Sequence, residues 1–169
     1  MKRIIAAGAA AAVVLASAGT GTLAWALTRN DDSHLPEISA YTGGQLTRVG
    51  PFLYCNVLDL NDCETPQAQG ELRANERDAV QLSVPSAIAS APWRLVLVYE
   101  DPDNATISTF RPDTRLAVTV PSVDPQRGRL TGVAVQLLTL VIDGTDEIRE
   151  VPHAEWSIRV VWANGEQSG

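Results

Sequence analysis

Alternating apolar and polar residues predict short β-strands along most of the chain after residue 35. In AVQLSV (79–84), three large aliphatic residues fall on one face, while Gln81 and Ser83 fall on the other. AEWSIRVVW (154–162) repeats the pattern, with both of its tryptophans on the apolar face. Such a strand buries one face and exposes the other, so we expect both segments to line a core.

Two longer segments are apolar on both faces, which predicts strands in the interior of a sheet. They are WRLVLVYE (93–100) and RLTGVAVQLLTLVID (129–143). The second face of the longer one needs a cover, from a second sheet, from the cysteine-containing segment or from a partner. Asp143-Gly144 is a tight-turn signal, and EIREV (147–151) returns from it.

The remaining strand predictions are shorter. Two extended pieces flank Gly43-Gly44, and a single helical turn or bend is expected at SAIASA (86–91). PSVDPQRG (121–128) is predicted to be a loop. The other predicted strands are PFLYCNVLDL (51–60), QGELRANERD (69–78, at a sheet edge), ISTFRP (107–112) and TRLAVTVP (114–121).

About eight to ten strands without a convincing helix predict an all-β fold, and their order favours an immunoglobulin-like β-sandwich. AVQLSV would be strand B, and Trp93 would be the core tryptophan of strand C. RLAVTV would be strand E, while GVAVQLLTLV and AEWSIRVVW would form the F–G hairpin. A β-barrel is the alternative architecture.

The N-terminus differs in kind from the rest. Lys2 and Arg3 precede 24 uncharged residues, Ile4 to Leu27. This pattern is typical of a signal peptide or of a signal-anchor transmembrane helix, with the following domain outside the cytoplasm. Cleavage near Ala18 would release the protein, and we expect the uncleaved anchor. The predicted organisation is 1–28 signal or anchor, 29–35 linker, 36–162 sandwich domain and 163–169 polar tail.

The body of the chain is acidic. The full chain has a net charge of −7, and without Lys2 and Arg3 the charge falls to −9. Nucleic-acid binding needs a basic surface, so we expect no nucleic-acid partner.

Cys55 and Cys63 are the two cysteines of the chain. Thiols of an exported protein pair in an oxidising compartment, so we expect a disulfide that holds the end of a strand to the following loop. A metal site that adds Asp59, Asp62 and Glu64 is the alternative, although the spacing fits neither zinc nor calcium loops. A redox pair would favour the C-x-x-C spacing.

Candidate chemistry beyond the cysteines is sparse, because no nucleophile elbow, zinc-protease or phosphate-loop motif is present. No catalytic residue, cofactor or metal ligand is predicted. The arginines of the 121–129 segment could hold a phosphate or carboxylate, the turn after Tyr99 is acidic, and one histidine starts the last strand. The resulting candidate interaction surface comprises Arg127, Arg129, Asp101, Asp103 and His153.

Four stretches resemble an actinobacterial family catalogued as domain of unknown function 2771. They are FLYCNVLDLNDCETPQAQGEL, VPSAIASAPWRL, PSVDPQRGRLTGVAVQLLTLV and VPHAEWSIRVVW, and the resemblance covers residues 34–162. It implies a one-pass or secreted envelope protein, and it implies no activity.

The expected function is therefore a non-catalytic, extracytoplasmic module of the cell envelope. It would be anchored in the membrane and would bind another envelope protein or a ligand such as a glycolipid. The alternatives are an envelope lipid or glycan carrier, which predicts an apolar cavity between the sheets, and a metal-dependent hydrolase that uses His153.

Overall fold

The computed structural model describes residues 35–101, 103, 105–142, 144 and 146–162, which belong to a compact unit beginning at Leu35. The predicted N-terminal anchor and the polar tail lie outside the described residues. One helical turn, α1 (Ser86–Ala89), is present. The strands in these ranges are β1 (Ile38–Thr42), β2 (Gln45–Val49), β3 (Leu53–Asn56), β4 (Asp59–Glu64), β5 (Gly70–Ala74), β6 (Val80–Ser83), β7 (Trp93–Tyr99), β8 (Thr106–Phe110), β9 (Ala117–Val120), β10 (Val123–Asp124), β11 (Gly128–Ile142) and β12 (Ile148–Trp162).

The long β11–β12 hairpin is the centre of the larger sheet. Both strands have 15 residues, and they pair antiparallel from Gly132 opposite Arg159 to Ile142 opposite Ile148. The strand order in this sheet is β4-β3-β12-β11-β7-β8, and β5 adds to β12 in parallel. β7 thus lies in the sheet interior, as its two apolar faces predicted.

A smaller sheet has the order β2-β1-β6-β9. Gly43 and Gly44 both adopt positive φ, so the predicted turn between β1 and β2 is confirmed. β6 shows the alternating burial that its sequence predicts, because Val80 and Leu82 are buried while Gln81 and Ser83 are exposed. Side chains of both sheets share one hydrophobic core.

Two tryptophans form the largest buried side chains of this core. Trp93 stacks on Phe110 with ring centroids 4.3 Å apart, and Trp156 is fully buried. The indole Nε1–H of Trp156 donates a hydrogen bond to the Pro36 carbonyl at 2.6 Å. The chain segment that leads into β1 is therefore held against the middle of β12.

Three local predictions are wrong. The strand predicted over 51–60 is broken by a turn at Val57-Leu58, and Asp59–Glu64, expected as the end of that strand and the following loop, is the separate strand β4 that folds back on β3. EIREV and AEWSIRVVW are one continuous strand, and His153 lies inside it rather than at its start. Val123 and Asp124, predicted in a loop, form the short strand β10.

The disulfide prediction is confirmed. Cys55 and Cys63 are bonded and lie directly opposite each other in the β3–β4 ladder, with Cα atoms 4.0 Å apart. The bond is therefore a staple across a β-hairpin. Among the described residues, no helix is long and apolar enough to cross a membrane.

Replacing Cys55 and Cys63 together by serine should lower the free energy of unfolding by about 2.5 kcal/mol, because the bond restricts a short loop of the unfolded chain. Urea denaturation measures this difference. Wild type in reducing agent should match the double variant, and the double variant should not respond to the reductant. Equal stability of the oxidised and reduced wild type would contradict this role.

Gly70→Ala should destabilise the domain by about 1–3 kcal/mol, because a Cβ at Gly70 would overlap Cγ2 of Val49. Adding Val49→Ala should recover part of that loss, as thermal or urea unfolding would show. Gly132→Ala is the matched control within a strand. Its nearest neighbour would be Val98 at an ordinary 3.6 Å, so its effect should stay within about 0.5 kcal/mol.

Candidate functional site

The predicted arginine site lies at the end of the larger sheet where β11 begins. Arg127 donates from Nη1 to Oδ2 of Asp124 at 3.1 Å. Oδ1 of Asp124 also accepts the backbone N–H groups of Gln126 and Arg127. These hydrogen bonds, with the nearby guanidinium group, lower the pKa of Asp124, so the loop is held by its own carboxylate.

Arg129 also forms an ion pair with a carboxylate of the chain. Its Nη2 donates to Glu76, and its guanidinium group lies over the Trp162 ring at 5.1 Å from the centroid. The adjacent indole Nε1–H donates to the Leu130 carbonyl at 2.9 Å. Both predicted arginines are thus bound to carboxylates of the chain, which offsets the positive potential that a phosphate or carboxylate ligand would require.

The acidic turn after β7 lies beside this loop. The Glu100 N–H donates to the Arg129 carbonyl at 2.9 Å, which joins the start of the turn to β11. Within the turn, Oδ1 of Asp101 accepts the Asp103 N–H at 3.1 Å. The structure therefore brings Asp101 and Asp103 to the same end of the sheet as the two arginines.

His153 lies elsewhere. It is the extra residue of a β-bulge in β12, because Ala154 pairs with Leu137 while Pro152 pairs with Leu138. At roughly 3.3 Å per residue, this level of β11 is about 30 Å from Arg129. His153 therefore belongs to the opposite end of the sheet and does not join the other four predicted surface residues.

A pocket of about 440 Å³ opens beside His153 and the disulfide-bonded β3–β4 hairpin. The Tyr54 ring meets the imidazole edge-on, with centroids 6.3 Å apart. Nδ1 of His153 is buried and has no hydrogen-bond partner among the described residues. The lining residues are Leu35, Tyr54, Cys55, Asn56, Val57, Asp62, Glu64 and His153.

This pocket combines aromatic and aliphatic walls with two carboxylates. Among the described residues, neither Asp62 nor Glu64 forms an ion pair. No group of three histidine, cysteine or acidic side chains in the described part of the chain is placed to hold a metal ion. The lining is suited to a ligand with an apolar body and a positive charge or hydrogen-bond donors.

Exposed aliphatic side chains surround the same end of the sheet. At the β3–β4 turn, Val57 is 53% exposed and Leu58 is 93% exposed. At the β11–β12 hairpin, Leu140, Ile142 and Ile148 are 65%, 72% and 69% exposed. Both hairpins run toward this end, because β3 pairs antiparallel with β12 and then turns back beyond Asn56.

The ladder places the residues of the second hairpin on one face. Ile142 lies directly opposite Ile148, and Leu140 lies two residues before Ile142 on the same strand. We call Leu140, Ile142 and Ile148 the tip patch. Sequence reasoning noted that the second face of β11 needs a cover but did not select these residues. The sequence did contain a signal for them, because the apolar run of β11 continues to Ile142, directly before the predicted Asp143-Gly144 turn.

Asp124→Asn should lower the free energy of unfolding at about pH 6 and have little effect at strongly acidic pH. Asp124 has a folded-state pKa below its ordinary value of 3.8, so its charged form stabilises the fold above that value. The stabilisation is lost as the pH falls through the lowered pKa. Urea unfolding of both proteins across this range measures the difference, and a pH-independent difference would contradict the charge-based role.

Comparison with known proteins identifies a family. Residues 31–161 match the family described as Protein of unknown function (DUF2771). Uncharacterized protein Rv0875c of Mycobacterium tuberculosis (strain ATCC 25618 / H37Rv) is 62% identical over 162 residues, covering 96% of this chain and 100% of the relative. Uncharacterized protein Mb0899c of Mycobacterium bovis shows the same identity and coverage. No solved structure matches significantly. The chain therefore belongs to the DUF2771 family, with closely similar members in mycobacteria.

Proposed function

We propose that this protein is a non-catalytic binding module of the cell envelope. The domain would lie outside the cytoplasm, held by the N-terminal segment, and would bind another envelope protein or an envelope ligand. The observation that carries this proposal is the group of exposed aliphatic residues on two neighbouring hairpins. Such groups on a soluble domain mark interaction sites, because leaving them in water costs free energy.

The compartment is inferred from the sequence. Lys2 and Arg3 before 24 uncharged residues favour an export signal or membrane anchor. The disulfide between Cys55 and Cys63 supports an oxidising compartment, because cytoplasmic thiols are kept reduced. These are independent observations, one from the leader and one from the folded domain.

The domain type that fits best is an immunoglobulin-like sandwich. The neighbours β12, β11 and β7 in the larger sheet follow the order G, F, C, and β1, β6 and β9 in the smaller sheet follow A, B, E. Domains of this architecture serve widely as binding modules, although architecture alone does not assign a function.

The two alternatives have weaker support. A carrier would need an apolar cavity between the sheets, whereas the pocket beside His153 lies at the end of one sheet and has several polar walls. A metal-dependent hydrolase would need ligands around His153. Among the described residues, no three histidine, cysteine or acidic side chains are placed together to hold a metal ion.

Photo-crosslinking in the native envelope tests the binding function. A photo-reactive amino acid replaces Leu58 in the full-length chain, expressed in mycobacterial cells, and irradiation should yield a discrete adduct at this position. The same amino acid at Leu116, which is also exposed but lies between β8 and β9, is the matched control. Lysine-directed reagents are unsuitable, because no lysine follows Lys2.

Mass spectrometry of the adduct separates the hypotheses. A recurrent protein adduct at Leu58 but not at Leu116 is the expected result. A lipid or glycan adduct would favour the carrier function instead. Equal background at both positions would overturn the proposed binding role of this end of the domain.

A further inference from the structure

The aliphatic hairpins carry an acidic rim. β4 contributes Asp59, Asp62 and Glu64, and the β11–β12 hairpin contributes Asp146, Glu147 and Glu150. In residues 53–64, 138–142 and 146–152 of the chain, Arg149 is the one arginine or lysine. Its guanidinium group lies 3.3 Å from Glu147, and Arg94 of β7 reaches Glu150 at 3.6 Å, so two of these six carboxylates are paired with arginine. This end therefore combines exposed Leu, Ile and Val side chains with an excess of negative charge.

The pocket lies beside the β3–β4 hairpin and His153 of β12, at the part of the rim that β4 supplies. Asp62 and Glu64 contribute to its lining, together with the aromatic ring of Tyr54. Carboxylates beside an aromatic ring are suited to an ammonium or guanidinium group, which gains charge-assisted hydrogen bonds and ring contacts together. A partner side chain that ends in such a group would fit the pocket while its neighbours cover Leu58.

A lipid surface is a poor occupant for this end. Segments that bind at a bilayer interface carry arginine, lysine and tryptophan next to their apolar residues, because lipid headgroups are frequently anionic. Here the apolar residues are bordered by carboxylates, and an anionic bilayer would repel them. A protein with an aliphatic hollow and a basic border complements both the shape and the charge.

The position of this end along the chain restricts where the partner lies. Leu35 lines the pocket, and only residues 28–34 separate it from Leu27, the last residue of the apolar run. At roughly 3.5 Å per residue, this linker reaches at most about 28 Å. If the run spans the membrane as proposed, a linker of this length favours a partner that is itself held in the membrane.

We infer that the Val57-Leu58 turn, the tip patch and the pocket beside His153 dock on a membrane protein that presents an aliphatic hollow bordered by arginine or lysine. One basic side chain of that protein enters the pocket beside Asp62 and Glu64. The inference rests on the proposed function and adds the chemistry of the partner.

The test combines salt and charge removal with the Leu58 crosslink. Membranes that carry the full-length photo-reactive protein are irradiated at about 0.05 M and about 0.5 M NaCl, since salt shortens the screening length between charges. The adduct yield should fall about threefold or more at the higher salt. Asp62→Asn with Glu64→Gln should lower it similarly at low salt, and Asp103→Asn, which removes an exposed charge at the opposite end of the sheet, should not.

Each outcome decides one claim. The crosslinked peptide of the partner should contain arginine or lysine beside aliphatic residues. A protein adduct that ignores salt and both carboxylate substitutions overturns this inference and leaves the binding function intact. A lipid adduct also overturns the inference. Absence of any adduct above the Leu116 control removes both proposals. The salt series uses the protein that retains Asp62 and Glu64. It therefore tests the charge dependence of docking even if the double variant fails to fold.

Discussion

The ladder between β11 and β12 is the constraint on which the rest of the domain depends. Every other strand of the larger sheet attaches to it directly or through one neighbour, with β7 on one side and β3 and β5 on the other. Inward residues of the hairpin, Trp156 among them, also form the centre of the core shared with the smaller sheet. A slip of one residue in this ladder would move every one of those side chains to the wrong face.

The same ladder gives the domain two ends with different chemistry. Where β11 begins, Arg127 and Arg129 are neutralised by Asp124 and Glu76, and Trp162 covers part of the charge. Where the hairpin turns, aliphatic side chains remain exposed and the carboxylates of β4 have no such partners among the described residues. At the first end, the charged groups are paired within the chain. At the second end, removing the exposed aliphatic side chains from water would be favourable.

The bulge at His153 connects these features to the pocket. An inserted residue bends a strand and turns its side chain out of the regular alternation. Here it directs His153 toward Tyr54 and the disulfide-bonded hairpin, and so forms one wall of the pocket. The disulfide holds the opposite wall, because it ties β4 to β3 directly across the ladder. The shape of the pocket thus depends on a backbone irregularity and a covalent link.

The sequence by itself determined the all-β class, most strand positions, the Gly43-Gly44 turn and the disulfide, because alternation, turn residues and cysteine spacing are local properties. It could not determine that Asp59–Glu64 folds back as a strand, since this acidic segment has no apolar face and is held by pairing with β3. Nor could it separate His153 from Arg127 and Arg129, or group Leu58 with the tip patch. Those relations depend on which strands become neighbours, and the β11–β12 and β3–β12 pairings, formed between distant segments, decided them.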